Sequence, residues 1–245
     1  MDPLKVLATG ATAILFAAMF VLGGRIHPMP ALLKSRRSAL SFSSGIALAY
    51  VFVHVIPELA GARDTFLKVN LAPHVFAGMG VYFVAMLGFL TFYSLDRLSA
   101  RARSAAAEGA PAPDFDLKLL GFAGYVALVS YLLVDNLEDS ALASSEYALA
   151  MAVHFLAFDH SFREERGAAY ARRGPLLLAG AALAGWGLGL VIVAPRDALA
   201  MMLGFLSGGV IVNAAILELP TGANGKMWSF IAGAVVYGLL LVNLR

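Results

Sequence analysis

The sequence contains no cysteine and is poor in charged residues. Without cysteine the chain has no disulfides and no thiolate ligands for a metal. Charged residues make up 14% of the 245, compared with about a quarter in soluble domains. The net charge of +2 gives no reason to expect a nucleic-acid partner. Hydrophobic residues reach 60% and the mean hydropathy is +0.78. These values predict an integral membrane protein whose surroundings are the lipid bilayer.

The apolar residues are arranged in runs of about 20, long enough to cross a hydrocarbon core of about 30 Å as helices. We therefore predict an all-α fold, a bundle of eight transmembrane helices forming a single domain over residues 1–245. The first run exceeds the usual apolar core of a signal peptide, so we expect it to be retained. The predicted spans are 4–24, 39–60, 72–94, 118–141, 146–162, 175–194, 197–219 and 226–244.

Arginine and lysine are distributed unevenly between the two sides of such a bundle. With eight spans both termini lie on one side, and the loops on the opposite side hold 13 of the 18 basic residues. Basic loops stay in the cytoplasm, so we expect both termini outside. The long loop at 95–117, rich in Ala, Pro and charge, is then cytoplasmic and mobile. We expect the protein in a bacterial inner (plasma) membrane.

Several polar residues interrupt the apolar runs. Ionisable groups at membrane depth are costly and usually mark a functional path. In the fourth and fifth spans, the first of these polar residues lie in the segment LLVDNLEDS (132–140). The candidates are Asp135, Asn136, Glu138, Asp139, Met151, His154, Asp159 and His160, together with His54 and Glu58 in the second span. Of these, Glu58, Asp159 and His160 lie near span ends, where reaching headgroups or water is an equally good explanation.

The fourth and fifth spans predict a helical hairpin whose connection lies near Ala143–Glu146. Asp135 and His154 are each about nine residues from the midpoint of this connection. At 1.5 Å per residue, both should lie about 14 Å below the outer end of the hairpin. Asp139 follows Asp135 by one turn on the same face. Carboxylates, an amide oxygen and an imidazole suit a divalent cation, and Met151 adds a soft contact. The alternative is an Asp–His hydrogen bond that only locks two helices, but three acids against one base require a proton or a metal ion.

Two further stretches resemble a known family of metal transporters. SGIALAYVFVHVIPEL (44–59) resembles the second helix of the ZIP (Zrt/Irt-like) family, with its His-x-x-Pro-Glu pattern. LSGGVIVNAAILELP (206–220) and WSFIAGAVVYGLLL (228–241) resemble the seventh and eighth helices. The resemblance implies eight helices, both termini outside, a long cytoplasmic loop between helices three and four, a homodimer and a midmembrane metal centre.

The chain departs from the family at the metal motifs. Where ZIP proteins carry His-Asn-x-Pro-Glu-Gly on helix four, this chain has Asp135 and Asn136, followed by Leu137, Glu138 and Asp139. On helix five His154 is kept, while Phe155 and Phe158 stand at the neighbouring positions. The resemblance therefore implies a divergent member with one intact metal site.

The sequence as a whole predicts a divalent metal cation transporter rather than an enzyme, with Zn²⁺ as the first expected substrate and Fe²⁺, Mn²⁺, Co²⁺ and Cd²⁺ as others. Asp135, Asp139 and His154 are the expected ligands and Asn136 a weaker one. His54 and Glu58 would gather cations outside, and Asp159 and His160 would lie near the cytoplasmic exit. The alternatives are a membrane-embedded zinc-dependent hydrolase and a transport-inactive ZIP-fold sensor or scaffold.

Overall fold

The computed structural model describes residues 3–25, 36–69, 79–108, 117–136, 141–214 and 226–243. Within those ranges all regular structure is helical. A π-helical turn, Val51–Val55, joins α2 to α3 without interruption. The helices are α1 (Pro3–Gly23), α2 (Arg36–Tyr50), α3 (Ile56–Val69), α4 (Gly80–Ala107), α5 (Leu117–Asn136), α6 (Ala141–Arg166), α7 (Ala168–Val191), α8 (Arg196–Val212) and α9 (Met227–Asn243).

Five helical segments among the described residues are long and apolar enough to cross a membrane: Pro3–Gly23, Ser44–Asp64, Gly80–Ala107, Leu117–Val134 and Ala168–Val191. The other predicted spans also contain helices, but these differ in length or charge. α8 and α9 have 17 residues each, or about 26 Å, slightly less than a hydrocarbon core. α6 has 26 residues, six of them charged.

The helices group into two bundles that alternate along the chain. In the α1 bundle, α7 packs against α1 and α5, and α6 packs against α1. In the α2 bundle, α2 packs against α9, α4 packs against α8, and α3 packs against α8. The two bundles meet where α5 contacts α4 and α8. They also meet where Tyr50 of α2 contacts Met151 of α6. We call the whole contact surface between the bundles the seam.

Inside each bundle, glycines allow helix backbones to touch. A Cβ atom on Gly208 of α8 would overlap the carbonyl oxygen of Ala85 in α4, and one on Gly88 of α4 would overlap that of Phe205 in α8. Likewise, a Cβ on Gly185 of α7 would overlap the carbonyl of Ala127 in α5. Small residues bring apolar helices close enough for extensive van der Waals contact. Each bundle is therefore closely packed through its backbones.

Two sequence-based expectations about loops are wrong. The predicted loop at 95–117 is helical as far as Ala107, because SLDRLSARARSAAA is rich in Ala, Leu and Arg, which are strong helix formers. The hairpin connection does not lie near Ala143–Glu146. α5 ends at Asn136 and α6 begins at Ala141, so those residues belong to the first turns of α6.

The bundle ends differ in charge. We call one of them the basic end. It is the end at which α1, α4 and α6 finish and α2, α5, α7 and α9 begin. The start of α9 is placed there by a hydrogen bond from the backbone N–H of Lys226 to the hydroxyl of Ser41 in α2, 3.0 Å away. Its described basic residues are Arg25, Arg97, Arg101, Arg103, Lys118, Arg163, Arg166, Arg172, Arg173 and Lys226.

The glycine contacts predict opposite effects for two matched substitutions. Gly208→Ala forces a methyl group into the α4 backbone, and we expect it to lower the free energy of unfolding by about 1–3 kcal/mol. Gly180→Ala, where a Cβ meets no atom within 4 Å, should leave it unchanged or raise it by about 0.5–1 kcal/mol. Equilibrium unfolding in detergent compares the two, and equal stabilities would contradict backbone contact between α4 and α8.

Candidate functional site

Tyr50 connects the two bundles at the middle of the seam. This residue of α2 is 9% exposed, and its hydroxyl donates to the sulfur of Met151 in α6, 3.6 Å away. Its ring stacks on the imidazole of His54, with 4.9 Å between centroids. One turn further from the basic end, Glu58 Oε2 lies 3.5 Å from His54 Nε2. An imidazole and a thioether therefore contact one tyrosine, and a carboxylate lies beside the imidazole.

The π-helical turn that carries His54 has a cause in the sequence. Pro57 has no backbone N–H and cannot donate to the carbonyl four residues earlier. Just before it, the N–H of Ile56 donates to the carbonyl of Val51, five residues back. Such a turn inserts an extra residue into the helix and turns the following side chains to a new direction, which is why π turns are frequent at functional sites.

His154 lies one turn from Met151 on α6 and faces α5. Its Nε2 atom is 3.4 Å from the hydroxyl of Tyr125, a long hydrogen bond. The rings of Tyr125 and Phe158 pack against the imidazole, with centroid distances of 6.2 and 4.9 Å. The tyrosine is 2% exposed and His154 is partly exposed, so the imidazole lies against aromatic rings, with the hydroxyl of Tyr125 as a polar partner.

This pairing changes the predicted relation between His154 and Asp135. Tyr125, beside His154, precedes Asp135 by ten residues, which is about 15 Å of helix rise. The two residues therefore do not lie at equal depth, because the hairpin turns earlier in the chain than the sequence suggested. Asp135 and Asn136 end α5 and are described by backbone alone, while Glu138 and Asp139 lie outside the described residues. Among the residues whose side chains are described, no three His, Asp or Glu form a group suited to a metal ion.

Aromatic rings of α5 and α6 line the seam between His154 and the basic end, on the side of the α1 bundle. Phe158 is 7% exposed and stacks on Phe122 of α5, with 4.0 Å between centroids. Phe162, one turn further, lies 5.6 Å from Phe122. We call Phe122, Phe158 and Phe162 the aromatic layer. Phe155 packs most closely on Phe16 of α1, at 5.0 Å, and also touches the rings of Phe122 and Tyr125 at 6.3 Å, so it links α1 to the aromatic side chains of α5.

Asp159 is already neutralised. Its carboxylate is 0% exposed and accepts hydrogen bonds from Arg163 Nε at 2.6 Å and from the hydroxyl of Tyr170 at 2.7 Å. Arg163 also donates to the carbonyl of Phe20, near the end of α1, at 3.3 Å. A side chain on Gly23 would collide with the carboxylate. These contacts hold α1, α6 and α7 together, so we do not expect the carboxylate of Asp159 to bind a metal ion.

His160 is also engaged locally. Its Nδ1 atom lies 3.0 Å from the carbonyl oxygen of Leu156, one turn earlier in the same helix. A ring oriented by its own backbone is less available to an ion in the seam. The structure thus places His54 and Met151 beside Tyr50, His154 beside Tyr125 and Glu58 beside His54, and gives Asp159 and His160 other partners.

At the basic end the seam finishes in a charged cluster that sequence reasoning missed. Lys118 of α5 lies between Asp96 of α4, 2.8 Å away, and Glu165 of α6, 2.9 Å away. Between this cluster and the aromatic layer is a cavity of about 20 Å³, also lined by Asn213 of α8. That volume accommodates one water molecule. The sequence placed Lys118 at a span boundary and offered no signal for its partners, which lie on other helices.

Comparison of the chain with family models, with curated proteins and with solved structures finds no match.

The Asp159 cluster predicts a stability effect without a binding effect. Asp159→Asn leaves Arg163 without its counter-charge, and we expect the free energy of unfolding to fall by about 3–5 kcal/mol. In Asp64→Asn, whose carboxylate side chain is 62% exposed and pairs with Arg63 at 3.0 Å, the loss should stay below about 1 kcal/mol. Unfolding in detergent and Zn²⁺ titration measure both properties. Loss of Zn²⁺ binding in a folded Asp159→Asn protein would instead indicate that the carboxylate of Asp159 binds the ion.

Proposed function

We propose that the protein is a divalent metal cation transporter of the ZIP type, moving the ion along the seam between its two bundles. The observation that carries this proposal is the sequence of side chains along the seam. Starting far from the basic end, Glu58 and His54 come first, followed by Tyr50 with Met151 and then by His154 with Tyr125. Cation-binding groups thus follow one another between two bundles that are closely packed within themselves.

The donor types favour borderline divalent ions. Imidazole binds Zn²⁺, Fe²⁺ and Co²⁺ well, and a thioether adds affinity for softer ions such as Cd²⁺. His154 and Met151 lie one turn apart on α6, while in the other bundle His54 stacks on Tyr50, the partner of Met151, and Glu58 lies beside His54. We propose these four as ligands, with Tyr50 separating them in this conformation. Asp135, Glu138 and Asp139, which follow one another in the sequence near the end of α5, would supply the additional negative charge, and Asn136 would supply an amide oxygen.

Transport requires that the path open to one side at a time, and the two kinds of packing support such a change. Within each bundle the backbones touch through glycines such as Gly88, Gly185 and Gly208. Across the seam the contacts are between side chains, including the edge-to-face pair of Phe92 and Tyr125 at 5.7 Å. Side-chain contacts have alternative arrangements, whereas close backbone contacts resist sliding. The bundles are therefore the natural rigid units of a transport cycle.

We propose that the basic end faces the cytoplasm, because positively charged segments are retained there. Eight spans, both termini outside and a bacterial inner membrane follow from the same proposal, as does import toward the cytoplasm. The resemblance to the ZIP family of SGIALAYVFVHVIPEL (44–59) and of the seventh- and eighth-helix segments supports this assignment. A homodimer is part of the same family expectation.

A transport-inactive protein of this fold, binding metal as a sensor or scaffold, is the second candidate. The observation in its favour is the stacking of Phe158 on Phe122 at 4.0 Å. A cation that passes such rings gains about 2 kcal/mol from cation–π attraction, far less than the hydration it gives up. An inactive protein would bind Zn²⁺ through His154 and yet not transport it.

Zn²⁺ uptake into proteoliposomes tests the proposal. We expect uptake by the parent protein and a loss of at least about ten-fold in His154→Ala, because even the outer partners of metal ligands contribute that much. His160→Ala is the matched control, since that ring is bonded to its own helix, and it should keep uptake within about two-fold.

The outcomes separate the two candidates. Zn²⁺ binding by the parent protein without uptake would favour the transport-inactive protein. Uptake that is equal in His154→Ala and in the parent would contradict the assignment of the seam as the ion path.

A further inference from the structure

The ammonium group of Lys118 is held between carboxylates from two different helices. Its Nζ atom lies 2.8 Å from Asp96 Oδ1 and 2.9 and 3.1 Å from the two oxygens of Glu165. The lysine side chain is only 14% exposed. It also lies 5.6 Å from the centre of the Phe162 ring, within reach of a cation–π interaction. Two carboxylates and one aromatic ring therefore contact this partly buried charge.

These bonds join the two bundles. Asp96 belongs to α4 of the α2 bundle, while Lys118 and Glu165 belong to α5 and α6 of the α1 bundle. Two more contacts cross at the same end, because Arg103 of α4 lies 3.5 Å from Glu165 and Arg166 of α6 donates to Ser99 of α4. The closing contacts at this end of the seam are thus charged and are centred on Lys118.

The cluster lies directly against the aromatic layer. The cavity of about 20 Å³ is lined by Phe122, Phe158 and Phe162 on one side and by Asp96 and Lys118 on the other, with Asn213 of α8 beside them. The aromatic layer and the lysine therefore line the same cavity. Separating α4 from α6 requires that at least one of the two carboxylates release the ammonium group.

We propose that Lys118 is a latch that holds the basic end of the seam closed by binding Asp96 of one bundle and Glu165 of the other. In the transport cycle the latch opens when the bundles separate, so this role deepens the proposed function and rests on it. Whether Lys118 holds the basic end of the seam closed can be measured in the absence of any metal ion.

A single cysteine reports the state of the latch, because the chain has no cysteine of its own. We place it at Asn213→Cys, which lines the cavity and is 5% exposed, with Leu95→Cys on α4 as a second reporter. The rate of modification by a charged, membrane-impermeant thiol reagent is measured with the reagent on either side of reconstituted vesicles. Lys118→Met should raise that rate by about ten-fold or more, because it removes charge-assisted hydrogen bonds that join the bundles.

Two controls isolate the lysine. Lys118→Arg keeps the charge and should hold the rate near that of the parent. Arg172→Met removes an exposed positive charge from α7 at the same end and should also leave the rate unchanged. A rate in Lys118→Met that equals the parent's at both reporters, or an equal rise in Arg172→Met, would overturn the latch.

Zn²⁺ uptake by the parent protein, measured in parallel, separates this inference from the proposed function. A faster thiol reaction in Lys118→Met without any Zn²⁺ uptake would support closure by the lysine and contradict transport. Zn²⁺ uptake with unchanged thiol rates would contradict the latch alone.

Discussion

The ion pair between Asp159 and Arg163, 2.6 Å apart and inside an apolar bundle, determines how the helices around it are placed. A buried carboxylate needs a counter-charge and further hydrogen bonds, and here the partners come from α6 itself and from Tyr170 of α7. Glycine at position 23 lets α1 approach the carboxylate. Together these contacts fix the rotation of α6. Asp159 and Phe155 face α1, and His154 and Phe158 therefore face α5 and the seam.

That rotation separates two kinds of polar residue. Asp159 and Arg163 form an ion pair within the α1 bundle, where they hold three helices together. Tyr50, Met151 and His154 lie instead where the bundles meet, and the hydrogen bonds that join them to their partners are long, 3.6 Å from tyrosine to thioether and 3.4 Å from tyrosine to imidazole. A long hydrogen bond is weak and little is lost when a metal ion replaces it, whereas breaking a buried ion pair is costly. Chemistry is therefore expected at the seam and structural stability inside the bundles.

The sequence predicted an all-helical fold and the approximate place of the described helices apart from the second half of α4, because runs of apolar residues mark helices of this length. It also picked out His54, Met151 and His154 as unusual residues. Their partners were not predictable, since Tyr50 and Tyr125 look like ordinary core aromatics until the helices are packed. The hairpin was misplaced by a few residues, and at 1.5 Å per residue such an error moves Asp135 away from His154 by more than the length of a side chain. Lys118 and Asp96 could not be paired from sequence, because ion pairs between helices depend on helix register.

The proposed binding of a divalent cation in the seam next to His154 is tested most directly by a structure of the Zn²⁺-loaded protein with an anomalous difference map at the zinc absorption edge. We expect the strongest peak between Tyr50 and Tyr125, about 2.0–2.1 Å from a ring nitrogen of His154, with the hydroxyl of Tyr125 displaced from its present 3.4 Å contact. Zinc found only on exposed carboxylates, with the Tyr125–His154 contact unchanged, would contradict it.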